Sequence, residues 1–496
     1  MENKSSIASS FSWGVLAKVI DTGIKFFSVP ILLSYFGKEN FGLIALATSV
    51  NAYLQLLDLG VNTGAIKFFS QWIGERNYKL LDSVARTSIF FYLVIGLVNS
   101  FVLLLLSYFG LHFFSITAEQ VSIFRDLLLV LAIFSIVNWT SSVFLQLLTA
   151  NEDVAFIQKI NIVKSLLNLL VILLTMWMKL SMVSYFVWFS IVNTIIVIPL
   201  YWKSRRDGLI VSLTPLKNWN DFRIILKYSA SILLMALFQM SATNLRPIVL
   251  SIFSNSSTVV LTEYRIMETV TLFIISIGGI FISIFLPKST KIINQGVEKV
   301  GSFVYQSTLF TSVICVILSM PFIVCAEDIL TLYVGDEYVH LAMWLKIWVL
   351  TILFYLHNTP VSSLVLATGK TKALVVSSAI ACITSLIVNA ILSPQLNVGS
   401  AVVGYTVYIF IQMCFYYFYF NTKILGINSL LVFKSFIFPA FVGLLVAWLV
   451  IQLDIQYPLL IVQMGVKLVL WFLLYILAIF GLKIVTVKGV KQFLKS

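Results

Sequence analysis

The sequence predicts an all-α integral membrane protein of about fourteen transmembrane helices. Two six-helix lobes form parallel pseudo-repeats around a central cavity, and a helix pair is appended. Three observations carry this expectation. Only 11% of the 496 residues are charged and 60% are hydrophobic, against roughly 25% charged in a soluble domain. Apolar runs of about twenty residues, long enough to cross a hydrocarbon core, recur from one end to the other. The basic residues gather on alternate sides of those runs.

In chain order the apolar segments fall at 12–36, 40–62, 87–110, 124–148, 155–178 and 181–202, then at 228–253, 258–286, 303–325, 340–366, 372–393 and 400–421, and last at 434–453 and 458–482. Only helices and closed barrels satisfy their backbone groups in lipid. Barrel strands would be about ten residues long with strict alternation, so continuous runs of this length predict helices. The connections are short. The longest outward-facing ones, 110–124 and 325–340, are read as loops.

Charge placement supports the count. Of 33 Lys and Arg residues, 22 fall on the side shared by both termini. Lys38, Arg125 and Lys179 fall on the other, and eight lie within spans. The positive-inside bias puts both termini in the cytoplasm. The net charge of +13 therefore reflects topology and does not imply a nucleic-acid partner. The first run lacks the small-residue cleavage site of a signal peptide, so it is read as the first span.

A weak repeat divides the chain. Gly60–Phe90 follows span two and Gly279–Phe310 closes span eight in the same way, each with a polar, basic linker and then RTSIF or QSTLF. LTAN at 148–151 and LATG at 366–369 end spans four and ten at nearly the same offset. Six spans per repeat makes the halves parallel repeats, an alternating-access plan. The expected divisions are 1–215, 216–425 and the appended 426–496, with Lys203–Lys227 as the cytoplasmic linker.

Charged groups inside spans are costly and usually face a cavity. Span one carries Lys18, Asp21 and Lys25 on one helical face. A Lys–Asp–Lys arrangement neutralises itself only in part, and the surplus cation favours an anion. Arg246 in span seven and Arg265 in span eight occupy the repeat positions of spans one and two, and Lys164 lies in span five. These five basic residues are the candidate substrate-binding set. Asp21, Asp58 and Glu268 are candidate coupling-ion sites or charge partners. Arg265 and Glu268 are also spaced to pair one turn apart, and Asp58 is equally read as the cap of a helix break in LLDLGVNTG. Lys346 lies near a span end, where it can snorkel, and Lys467 reads as structural. A net cationic interior suits a phosphate-bearing cargo.

No Walker loop, H-E-x-x-H or metal-ligand cluster is present, so no catalytic residue, metal or cofactor is expected and the chain is not read as an enzyme. Cys315, Cys325, Cys382 and Cys414 lie in apolar segments without C-x-x-C spacing and read as buried apolar residues.

The run PILLSYFGKENFGLIAL at 30–46, the LDLG turn at 57–60 and ATGKTKA at 367–373 resemble bacterial polysaccharide (O-antigen type) flippases, of the multidrug/oligosaccharidyl-lipid/polysaccharide exporter superfamily. The resemblance implies flipping of undecaprenyl-diphosphate-linked oligosaccharide repeat units across the bacterial inner (plasma) membrane, through a V-shaped cationic cavity. The implied partners are the lipid-linked oligosaccharide, the lipid bilayer and other polysaccharide assembly proteins, with no nucleic acid. It also implies that Lys18, Lys25, Arg246 and Arg265 contact the diphosphate or anionic sugars. Asp21 and Glu268 depart from that pattern and weaken the expected anion site. The alternatives are an ion-coupled multidrug or small-molecule exporter, a lipid II flippase, and a membrane-embedded glycan polymerase.

Overall fold

The computed structural model describes residues 7–58, 60–254, 257–282, 292, 296–368 and 371–485. Parts of three sequence features lie outside them. These are Leu59 of the LDLG turn, 369–370 of ATGKTKA, and 283–291 with 293–295 of the second repeat segment. Lys4, Lys288, Lys291, Lys370, Lys488, Lys491 and Lys495 also lie outside.

The described residues of the predicted segments are mainly helical. In order the helices are α1 (Ile7–Phe36), α2 (Lys38–Leu54), α3 (Val61–Gly74), α4 (Tyr78–Leu105), α5 (Ala118–Ala150), α6 (Val154–Trp177), α7 (Met182–Ile195), α8 (Val197–Arg206), α9 (Trp219–Phe253) and α10 (Ser257–Ile282). After them come α11 (Val297–Ser319), α12 (Ala326–Val334), α13 (Ala342–Leu356), α14 (Thr359–Ala367), α15 (Thr371–Leu396), α16 (Val398–Phe415), α17 (Ser429–Gln452) and α18 (Leu460–Gly481). Among the described residues, eleven helical stretches are long and apolar enough to cross a membrane. The chain is a multi-pass membrane protein. The described parts of the other three predicted segments lie within α1, α9 and α10, which are not among those eleven stretches.

Two stretches depart from the sequence reading. The polar linker after span two is the amphipathic helix α3, whose Val61, Ala65, Phe69 and Trp72 are buried at three- and four-residue spacing. The expected loop at 325–340 is mostly α12 followed by a tight turn of helix over Asp336–Leu341. Glu327 and Asp328 in the first turn of α12 favour its positive N-terminal end.

The chain divides into two compact units. The first holds Met1–Arg265 with Leu392–Asn397, the second Ile266–Ile391 with Val398–Ser496. In the first, α4 packs along α5, α1 along α6, and α9 against α2 and α3. Close approach needs small residues. A Cβ on Gly96 would stand 2.9 Å from Ile136 Cα. Polar ties also fasten the α9–α10 turn to the rest of this unit. Ser115 N–H donates to the Ser251 carbonyl (2.9 Å). Gln120 Nε2 donates to Glu39 Oε2 (3.1 Å) and Thr258 Oγ1 (3.4 Å), and the Thr262 hydroxyl donates to the Lys38 carbonyl. At the other end of the helices, Lys203 reaches Asp153 (3.7 Å) and Asp207 (2.6 Å). Burial pushes the Asp153 carboxyl up, against the pull of the Asn151 amide and Lys203.

In the second unit α11 packs on α17, α13 on α16, and α17 on α18. The Gly443 Cα position is pressed against Val316, where a Cβ would meet Cγ1 at 2.5 Å. His357 is fully buried, its Nε2 2.7 Å from the Tyr417 hydroxyl and its ring stacked 3.9 Å from Phe436. Lys467 of α18 pairs with Asp328 of α12 at 2.8 Å, and Gln463 Nε2 donates to the same carboxylate at 3.0 Å. The structural reading of Lys467 matches this geometry.

Both members of that pair are mostly buried. Lys467→Met therefore leaves a carboxylate without its cation and is expected to destabilise the protein by about 3 kcal/mol. Adding Asp328→Leu should recover most of the loss. Thermal unfolding in detergent measures both, and a double variant no better than the single would reject the pairing argument.

Candidate functional site

The first unit gathers the span-one charges against α6. Asp21 sits between them. Its Oδ2 pairs with Lys25 Nζ at 2.8 Å, and its Oδ1 accepts the Ser165 hydroxyl from α6 at 3.0 Å. Lys164, next to Ser165, lies within electrostatic reach of both Lys25 and Asp21. The Lys25 side chain remains 71% exposed while paired. Lys18, one turn from Asp21, is exposed and makes no ion pair among the described residues. Further along α6, the Lys159 ammonium lies 4.8 Å from the Trp13 ring centre. Two of the candidate lysines thus share one carboxylate, with Lys18 a turn away on the same helix, and the arrangement carries a positive surplus. Lys159 extends it. It is one of the eight basic residues within the predicted spans, and its contact with Trp13 depends on how α1 lies against α6.

Arg246 and Arg265 sit on other helices of the same unit. Arg246 is buried in α9, with 3% of its surface exposed. Neighbouring Asn244 reaches the Ala52 carbonyl of α2 at 3.5 Å. Arg265 is half-buried on α10, within electrostatic reach of Tyr185 on α7. Glu268 belongs to the second unit, half-buried, and its carbonyl accepts the Thr271 hydroxyl at 2.8 Å.

Asp58 closes the turn between α2 and α3. Its Oδ2 accepts the Asn62 N–H at 3.2 Å, the capping role open to it from sequence. Its Oδ1 accepts the Tyr92 hydroxyl at 2.6 Å, and that hydroxyl accepts Gln146 Nε2 at 2.7 Å. Tyr92 is fully buried and stacked on Trp139. This Asp–Tyr–Gln chain joins α3, α4 and α5. Sequence reasoning did not find Tyr92 and Gln146. Their signal was a polar group in the middle of an apolar span, which many residues in this chain share.

The sequence pattern of the MatE family matches residues 15–174, a segment that contains Lys18, Asp21, Lys25, Asp58 and Lys164. No curated protein matches the chain. Several solved structures share its fold. A lipid II flippase, MurJ, in an inward closed conformation superposes with a TM-score of 0.73, covering 95% of this chain and 99% of that one at 12% identity. A multidrug resistance MATE family transporter of the MOP superfamily, facing inward, gives 0.65 over 89% and 100% at 13% identity. A MOP superfamily transporter from Pyrococcus furiosus, described as having a binding pocket of reversed polarity, gives 0.58 over 88% and 95% at 14% identity. The chain therefore has the MOP transporter fold.

Tyr92→Phe removes one hydroxyl that serves two buried partners. The expected cost is about 1–3 kcal/mol, read as a lower unfolding temperature in detergent. An unchanged temperature would show that the Asp58–Tyr92–Gln146 chain does not hold the helices.

Proposed function

We propose that the chain flips undecaprenyl-diphosphate-linked oligosaccharide repeat units from the cytoplasmic to the periplasmic or outer face of the bacterial plasma membrane. It works by alternating access, in surface polysaccharide biosynthesis, with both termini cytoplasmic. The observation that carries this reading is the lysine-rich face of α1 and α6. There Lys25 pairs with the single carboxylate of Asp21, Lys164 lies within its electrostatic reach, and Lys18 stands exposed one turn along α1. Excess cations are expensive at membrane depth, and a diphosphate offers the charge and acceptor oxygens that offset them. Arg246 and Arg265 extend the cationic set within the same unit. A fold shared over nearly the whole chain with a lipid II flippase supports a lipid-linked cargo. The polyprenyl tail stays in the bilayer while the protein shields the polar head.

A second reading is an ion-coupled exporter of small molecules. The MatE match over 15–174 and the MATE transporters of the same fold favour it. In that reading Asp21 and Asp58 are the working groups and the lysines are their partners.

Gene deletion followed by complementation separates the two. Under the first reading, deletion abolishes surface polysaccharide and undecaprenyl-linked units accumulate at the cytoplasmic face. Well-expressed Lys25→Ala and Lys164→Ala variants should then flip about tenfold more slowly or worse, since hydrogen bonds to charged groups contribute about 1.5–3 kcal/mol. Normal polysaccharide with altered drug sensitivity would instead favour the exporter.

A further inference from the structure

The segment between α8 and α9 is a fixed strap laid on the start of α4. Val211 N–H donates to Asp82 Oδ1 at 2.7 Å, Arg86 Nε donates to the Thr214 carbonyl at 2.8 Å, and Leu216 N–H donates to the Arg86 carbonyl at 3.3 Å. Asn218 closes the strap, its N–H on Thr87 Oγ1 at 3.1 Å and its amide on Ser83 Oγ at 3.0 Å. Leu209 and Ile210 of the strap, Leu200 of α8, and Phe222 and Ile225 of α9 enter one buried cluster with Leu81 and Val84. Both helix ends are thereby held at the same end of the unit.

Packing sorts the charges. The acids of this region are occupied within the protein. Asp82 holds Val211 and lies 3.6 Å from Arg86, Asp207 pairs with Lys203, and Asp221 accepts the Asn218 amide at 2.8 Å. Apart from Arg86 and Lys203, which serve those contacts, the cations stay outside: Arg205, Arg206, Lys217, Arg223 and Lys227 are all exposed. Apolar groups stand among them, with Trp202 63% and Val211 66% exposed. Arg206 lies over the Trp202 ring at 5.9 Å. Trp202 and Arg206 belong to the last turns of the membrane-capable stretch Met182–Arg206, which places this surface where helix leaves bilayer.

We propose that the strap and its two flanking helix ends form a preformed binding surface for anionic phospholipid headgroups. Five outward cations match the phosphates, as in juxtamembrane basic clusters generally. Trp202 and Val211 fit the boundary between headgroup and acyl chain. A soluble polyanion would find the same charge but would gain nothing from the exposed apolar groups. Anchored to α4 at four points, the surface loses little freedom when lipid binds.

The test uses the purified full-length chain in mixed micelles, with native mass spectrometry counting bound phosphatidylglycerol and phosphatidylcholine. The protein should retain phosphatidylglycerol preferentially. A variant carrying Arg205→Gln, Arg206→Gln, Arg223→Gln and Lys227→Gln should lose about fivefold in that affinity per charge removed. Arg205→Lys with Arg206→Lys should keep it. Lys299→Gln with Lys423→Gln, which removes exposed cations of the second unit, should leave it unchanged. Unfolding in phosphatidylcholine micelles checks that each variant is folded. Equal retention of the two lipids would overturn the proposal, as would an equal loss in the Lys299/Lys423 control. Displacement of the lipid by soluble glycerol phosphate would assign the surface to a free anion and overturn it too.

Discussion

An unpaired polar group in hydrocarbon has no water to fall back on, and the structure is organised around that cost. Helices satisfy the backbone. Side chains have to find partners on other helices, and where they do, they fasten the bundle. Asp58 takes a hydroxyl from α4 and a backbone N–H from α3. Asp328 takes Lys467 and Gln463 from α18, and His357 meets Tyr417. The same constraint that excludes charge from the spans makes Asp58 and Asp328 fixed points of the tertiary structure.

The α1–α6 face does not balance in this way. Asp21 is engaged on both oxygens, by Lys25 and Ser165. Lys164 and Lys18 add charge to the same face, while Lys25 remains largely open to its surroundings. A balanced cluster would serve packing alone. A surplus of cations is retained at a cost, and that cost is the physical basis of the proposed anionic cargo. The fold is shared with proteins described as a lipid II flippase and a multidrug resistance transporter.

The acids and bases around the α8–α9 strap show a different sorting. Asp82, Asp207 and Asp221 turn their oxygens to backbone, lysine or amide partners inside the unit, whereas Arg205, Arg206, Lys217, Arg223 and Lys227 are exposed. Composition alone gives these cations a topological meaning. Their fixed arrangement comes from hydrogen bonds between residues about 130 positions apart, such as Arg86 with Thr214.

Hydrophobic run length and charge content by themselves determined that this chain is helical and multi-pass, because both reflect local transfer into a bilayer. They also located the in-span charges Lys18, Asp21, Lys25, Lys164, Arg246 and Arg265. Only the tertiary structure decided which of these are partnered. Asp21 finds Ser165 across 144 positions, and Tyr92, silent in the sequence, becomes the partner of Asp58. Helix α3 was legible only as a polar linker because its apolar stripe is short and needs α5 and α9 beside it to be buried. Periodicity reports the face a helix will hide, whereas pairing depends on which other helix arrives there, and that is fixed by packing.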